Sequence, residues 1–435
     1  MASRDGRIGV VAAEPIFEHE ISFDPAQASE ALRQLPAGPA VVALFGHSSG
    51  DRPHLMKTAN ARQRLKRLLE PAEGQTKRLN LRDRIARIAW REAGSEFELL
   101  LLLYRAMLLA FGADEARKRM RLSPPFTIRF AAENRFPRIY VTNHLRRRSL
   151  PTQFGPFASR LAAERYCEAV EELFVIRRCF LELHPSPDDP GCIYGEMKKC
   201  MAPCQERCTD AEYSTECAEV LGFLRTRGGS RLAALEAERD AASAAMEFEA
   251  AAAVHGRIAK VKSAAAFADE LVQPLDGLRA VLVMPCASHE ADGVPHVAVW
   301  SFSDGCFCGP ERVSLLGVRL AREQAEVGSS LFAQPMMLAP VPEDGVAAAG
   351  PASAEERMAA ALTQLFGGSA SDTAEFGDQL SLLKRWYYRP DKQRVGAIFF
   401  AKDGAWPVRR MVRAGAKMMT PAVPAAGEAA ALPVE

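Results

Sequence analysis

Four cysteines, Cys179, Cys192, Cys200 and Cys204, fall at a C-x12-C-x7-C-x3-C spacing in a stretch rich in loop-forming residues. Such a stretch cannot bury much core, so a ligand shared by the thiols has to supply folding energy. Ten cysteines in a chain that reads as cytoplasmic are not expected to pair as disulfides, which leaves a metal for the clustered ones. Four thiolates accept either tetrahedral Zn²⁺ or a [4Fe-4S] cluster. Cys208, four residues on, is a substitute ligand, and the isolated Cys286 reads as a buried thiol.

The length, 435 residues, exceeds what one core organises and implies two or three domains. The first residues lack a basic and then apolar leader. The longest apolar run, Leu99 to Tyr104, is far short of the ~18 residues of a membrane span, so a cytoplasmic protein without membrane attachment is expected. The net charge of +1 conceals an asymmetry: Lys57 to Arg148 holds 22 Lys and Arg against 9 Asp and Glu, and the remainder is correspondingly acidic. That excess, with the dense blocks Arg117-Lys118-Arg119 and Arg146-Arg147-Arg148, points to a phosphate-binding surface.

Periodicity divides the chain into an α/β multidomain protein. Residues 1–35 form a lead-in with one short helix from Pro25 to Leu35. A small α/β domain over 36–115 opens with strands at Val41–Phe45 and His54–Met56. It continues with a basic amphipathic helix at Ala59–Leu69 and a strongly apolar helix at Glu96–Leu109. Residues 116–178 give paired strands around Glu133-Asn134 and a helix from Ser159 to Leu173. The cysteine module occupies 179–226 and a helical hairpin 228–268. A separate α/β domain spans 269–412, with an Asp304-Gly305 hairpin turn, and a disordered tail 413–435.

Four segments resemble the UvrC family, the incising proteins of the bacterial ABC excinuclease. The strand ending at Phe45, followed by Lys57-Thr58-Ala59-Asn60-Ala61-Arg62-Gln63-Arg64-Leu65, is similar to its GIY-YIG nuclease opening. Phe154-Gly155-Pro156-Phe157 resembles its Y-F-G-P-Y/F element. Cys192 to Cys204 resembles its P-C-L-x-Y-Q-x-x-x-C-x-x-P-C segment, and Met246-Glu247-Phe248-Glu249-Ala250-Ala251-Ala252 its UVR motif. The resemblance implies DNA as a partner, a [4Fe-4S] cluster on the four cysteines with Zn²⁺ as the alternative, and a UvrB-like protein on the hairpin. Met246, Phe248, Glu249, Ala251, Ala252 and Ile258 would face that partner. The last part of the chain resembles the linking region that precedes the family's second nuclease.

The nuclease segment departs from its pattern. The first tyrosine position falls on Val42 or Ala43, the second on His54, and the metal-binding glutamate on Leu103; Lys57 and Arg64 remain. Leucine cannot ligate Mg²⁺, and valine carries no hydroxyl to activate water. The expectation is a DNA-binding scaffold whose phosphate contacts are Lys57, Arg62, Arg64 and Arg67. One alternative is a divergent Mg²⁺-dependent endonuclease using His54 with Glu96 or Glu98. Another is an iron-sulfur regulator without a repair role.

Overall fold

The computed structural model describes residues 16–48, 50–70, 81–287, 294, 296–316, 352–402 and 404–419, which carry three four-stranded antiparallel sheets. The first unit contains β1 (His19–Ser22), α1 (Ala28–Gln34), β2 (Ala40–Phe45), β3 (His54–Thr58), α2 (Ala61–Leu69), β4 (Arg87–Glu92), α3 (Glu96–Phe111) and α4 (Ala113–Met120). Its strands lie in the order β1-β4-β2-β3. Successive strand side chains point to opposite faces, so Val42, Leu44 and Ile88 pack with Leu65, Leu68 and Leu69 of α2, while Ala43, Leu55 and Ala89 pack on α3. Asn60 and Ser95 start α2 and α3 by accepting from the backbone amides of Gln63 and Glu98.

The middle unit holds β5 (Thr127–Phe130), β6 (Ile139–Thr142), β7 (Gln153–Gly155), α5 (Arg160–Glu171), α6 (Ile193–Glu196), α7 (Asp210–Thr226), α8 (Gly229–Ala244), α9 (Phe248–Ala265) and β8 (Gln273–Pro274). Helices α5, α7 and α9 share one core with this sheet, around Phe154, Tyr166 and Phe223. The last sheet, in the order β11-β10-β9-β12, is built from β9 (Ala280–Pro285), β10 (His296–Ser303), β11 (Cys306–Ser314) and β12 (Ala397–Phe400). Helices α10 (Ala354–Leu365), α11 (Thr373–Tyr387) and α12 (Val408–Met419) accompany it. The hairpin turn at Asp304-Gly305 is present, both residues having positive φ of 48° and 72°.

Three expectations are corrected. Residues 269–412 are not a separate domain: α3 is apolar around its whole circumference, and such a helix has to be covered on both sides. The second cover is the last sheet. Phe97, 1% exposed, meets Trp300, Phe307 and Trp386 edge-on with ring centroids 5.8, 5.0 and 6.0 Å away. At Gly94 a Cβ would lie 2.3 Å from the Pro285 carbonyl oxygen, so the two units approach too closely for any side chain there. The lead-in also joins the first sheet, because β1 pairs antiparallel with β4. Finally, residues 413–419, expected as disordered tail, belong to α12, which buries Met411, Val412 and Ala416 under the last sheet; the rest of that tail lies outside the described residues. Among the described residues no helix is long and apolar enough to cross a membrane.

Candidate functional site

The strand pair β2-β3 sets the nuclease-like positions side by side, Val42 opposite Met56 and Leu44 opposite His54. Val42 and Ala43 are fully buried, one in each of the two cores that flank the sheet. His54 has its pKa held below the ordinary imidazole range by partial burial and then by Arg64 and Arg119. Leu103 packs against the apolar cores around α3. The neighbouring acids are engaged: Glu96 accepts from Lys57 and, at 3.2 Å, from Arg389, and Glu98, 7% exposed, accepts from the Gly94 amide at 2.8 Å. Burial acts to raise the Glu96 pKa, but the Lys57 and Arg389 hydrogen bonds outweigh it and hold the carboxyl low. In Glu98 burial wins and pushes the carboxyl up. These residues do not fit a Mg²⁺ site.

The four cations expected to contact phosphates do not share one surface. Lys57 points with Leu55 toward α3 and is paired with Glu96. Arg62 donates to the carbonyls of Leu35 at 2.9 Å and Arg33 at 3.2 Å, fastening α2 to α1. Arg64 and Arg67 are exposed on α2, and Arg146, Arg147 and Arg148 are exposed ahead of β7.

In the cysteine module Cys192 precedes α6 and Cys204 sits in the short 3-10 turn Pro203–Gln205. Lys198, Ala202 and Glu206 have φ of 56°, 54° and 55°, a left-handed backbone that non-glycine residues keep only where their surroundings impose it. The Ala202 amide donates to Cys200 Sγ at 3.3 Å. Burial pushes the Cys200 thiol up to about 11, with Cys179, Cys192 and Cys204 adding to the rise, so the four sulfurs lie within electrostatic reach of one another. Cys208 instead faces Glu212, Asp210 and Cys204. All ten cysteines are free thiols, and among the described residues no three His, Cys, Asp or Glu side chains are already closed around a metal position. The four cysteines match a thiophilic centre in donor type and number.

Helices α8 and α9 form the hairpin, reversed at Ala245–Glu247 through Met246 at φ 59°. Leu235, Val254, Ile258, Val261 and Ala264 enter the middle core. Ile258, expected to face a partner, is 2% exposed and buried within the chain, because the hairpin's apolar stripe already has α5 and α7 to cover it. Met246 and Phe248, also expected to face a partner, project from the tip at 76% and 69% exposure. Glu249 and Ala252 are exposed beside them, and Ala251 is half-buried.

A further basic site escaped the sequence reading. A cavity of about 490 Å³ is lined by Arg135, Arg138, Arg177, Phe180 and neighbours. The Arg138 guanidinium lies 3.7 Å from the Phe180 ring centroid, and burial followed by Arg177 lowers its pKa. Arg138 Nε and Nη1 and Arg177 Nε are buried without a hydrogen-bond partner among the described residues. Arg177 Nη2 donates to the carbonyls of Cys179 at 3.3 Å and Leu181 at 2.8 Å, tying the module's first cysteine to the middle unit. The signal in sequence was arginine interleaved with Phe and Tyr through Arg129, Arg138 and Tyr140, which strand alternation alone does not separate from a solvated face.

Residues 126–223 match the family described as UvrC/Cho excinuclease, middle domain. The UvrABC system protein C of Rhizobium meliloti (strain 1021) is 28% identical over 353 residues, 78% of this chain and 49% of that protein. The protein of the same name from Brucella abortus (strain 2308) is 28% identical over 63% of this chain and 43% of its own length. That from Hyphomonas neptunium is 29% identical over 53% and 37%. The chain thus spans about half or less of the length of these curated relatives. No solved structure matches. Sequence and relatives point the same way: the chain is similar to the UvrC proteins of the UvrABC system, and residues 126–223 match the UvrC/Cho middle domain.

Proposed function

We propose that this protein is a UvrC-like component of nucleotide excision repair, acting in the cytoplasm, that binds DNA and a UvrB-like protein and does not incise through its first domain. The hairpin carries this reading. Its apolar stripe is satisfied inside the chain, so the exposed Met246 and Phe248 at its tip gain nothing from the fold and remain to be covered by another surface. Arg64 and Arg67 of the first unit and Arg146 to Arg148 of the middle unit are exposed and would contact DNA phosphates, while the candidate acids of the first unit are committed to Lys57, Arg389 and the Gly94 amide. The Arg138-Arg177 cavity is a second place for a backbone phosphate, since a bound phosphate would satisfy the orphaned guanidinium N–H groups. Cys179, Cys192, Cys200 and Cys204 would hold an iron-sulfur cluster or Zn²⁺ that supplies folding energy to the module.

The test is a titration of the full chain onto a UvrB-like protein, with wild type and a Met246→Asp/Phe248→Asp double variant. The expected result is binding weakened at least tenfold in the variant with an unchanged circular dichroism spectrum. Equal affinity of the two proteins would remove the hairpin from the interface and the reading with it.

A further inference from the structure

The hairpin β10-β11 carries a second thiol cluster, unconnected with the cysteine module. Cys306 and Cys308 flank Phe307 on β11, and since Phe307 enters the core against α3, alternation turns both thiols to the opposite face. There they meet the Gly367-Gly368 segment: a Cβ added at Gly368 would lie 2.5 Å from Cys308 Sγ and 3.4 Å from Cys306 Sγ. The Cys306 thiol donates to the Phe307 carbonyl oxygen at 3.6 Å, and Cys308 lies beside Cys306 against the Gly367-Gly368 backbone. Gln379 Nε2 approaches Cys306 Sγ at 3.7 Å, and the Gln379 carbonyl oxygen accepts from the Phe307 amide at 2.7 Å. Both cysteines are partly exposed.

We propose that Cys308 and Cys306 form an oxidation-sensitive dithiol, with Cys308 as the attacking thiolate and Cys306 as the resolving thiol toward a hydroperoxide. A cysteine whose surroundings favour the thiolate, and which stays reachable by solvent beside a second thiol, is the form that reacts with peroxides. The neighbouring Cys306, the two glycine amides and the Arg105 charge hold the Cys308 thiol below its ordinary range, whereas the neighbouring Cys308 and then burial raise Cys306, with Glu375 adding to the rise. In the first step Cys308 Sγ attacks one peroxide oxygen: an S–O bond forms, the O–O bond breaks, and the departing hydroxide takes the Cys306 proton to leave as water. In the second, the Cys306 thiolate attacks the sulfenic sulfur; the S–S bond forms, the S–O bond breaks, and hydroxide leaves to be protonated by solvent. The two sulfurs together lose two electrons and the peroxide gains them. Two residues of strand span about 6.7 Å, at the upper end of what a disulfide bridges. The ladder with β10 shifts register immediately beyond Cys308, between Cys308 and Glu311.

The experiment exposes the reduced full chain to limiting hydrogen peroxide, with and without a sulfenic-acid trap, and maps every cysteine by peptide mass spectrometry. The expected wild-type product is a Cys306-Cys308 disulfide, two hydrogens lighter than the reduced peptide and restored by dithiothreitol, formed at least tenfold faster than any oxidation of Cys167 or Cys217. Cys306→Ser should accumulate trapped sulfenic acid on Cys308, and Cys308→Ser should leave Cys306 reduced. Oxidation of Cys308 no faster than of Cys217 in wild type, or sulfenic acid trapped on Cys306 instead, would overturn the proposal. The wild-type comparison needs no variant and so does not depend on either one folding.

Discussion

The division of the hairpin into a core face and a free tip makes opposite demands on two apolar residues ten positions apart. Ile258 is 2% exposed in the core that contains Tyr166 and Phe223, while Phe248 is 69% exposed at the start of the same helix. Ile258→Ala removes buried methyl and methylene groups from between packed rings, a change that costs about 2–5 kcal/mol. For a unit of this size each kcal/mol lowers the midpoint of thermal unfolding by about 2–4 °C, so a loss near 3 kcal/mol shifts it by roughly 6–12 °C. Phe248→Ala touches little of the fold and should stay within about 0.5 kcal/mol of wild type. The assay is thermal unfolding followed by circular dichroism, with amide exchange over α8 and α9 to localise the loss. Similar midpoints for the two variants, or a larger drop for Phe248→Ala, would refute the assignment of faces.

Three further outcomes follow from the same geometry. Arg64→Ala with Arg67→Ala should reduce the slope of log affinity for duplex DNA against log salt by about one for each phosphate no longer neutralised, whereas Lys57→Ala, whose charge is spent on Glu96, should leave that slope unchanged. Burial pushes the Glu171 carboxyl up to about 7. The folded state therefore binds a proton that the unfolded chain releases near pH 4.3, and the stability this group allows is complete below that pH and is lost as pH rises through about 7; denaturant midpoints should fall between pH 5 and pH 8 in wild type and fall less in Glu171→Gln. Anaerobically purified protein should carry iron and sulfide, or zinc, lost in Cys200→Ser and retained in Cys208→Ser, as read by elemental analysis and visible absorbance.

Much of the fold was legible where periodicity and local chemistry agreed. The β2-β3 pair, α2 behind Asn60, the β5-β6 pair and the Asp304-Gly305 turn all carried their own signals. What failed did so because a neighbour distant in sequence decides it. The strand β1, His19–Ser22, has no apolar alternation and exists by pairing with β4. β11 contains Gly309 and Pro310, which local pattern does not favour in a strand, and they are tolerated because β11 lies at the sheet edge. The apolar circumference of α3 was visible as a fully buried helix, but which sheet supplied its second cover was not. Ile258 fell on the correct stripe of α9 and the wrong side of the molecule, since spacing names a buried face without naming what buries it. The two helices packed beneath it come from earlier in the chain, out of reach of any local pattern.

Whether the first unit holds DNA without cutting it is decided by incubating the full chain with a lesion-bearing duplex, UvrA-like and UvrB-like proteins of an excision-repair system, and Mg²⁺ or Mn²⁺. The incision products and the bound fraction would be read from the same samples. The expected result is retained binding with no strand scission attributable to this chain. Scission that disappears in a Lys57→Ala/Arg64→Ala variant would contradict it, and would mean that the buried Val42 and Leu103 do not close the site to catalysis.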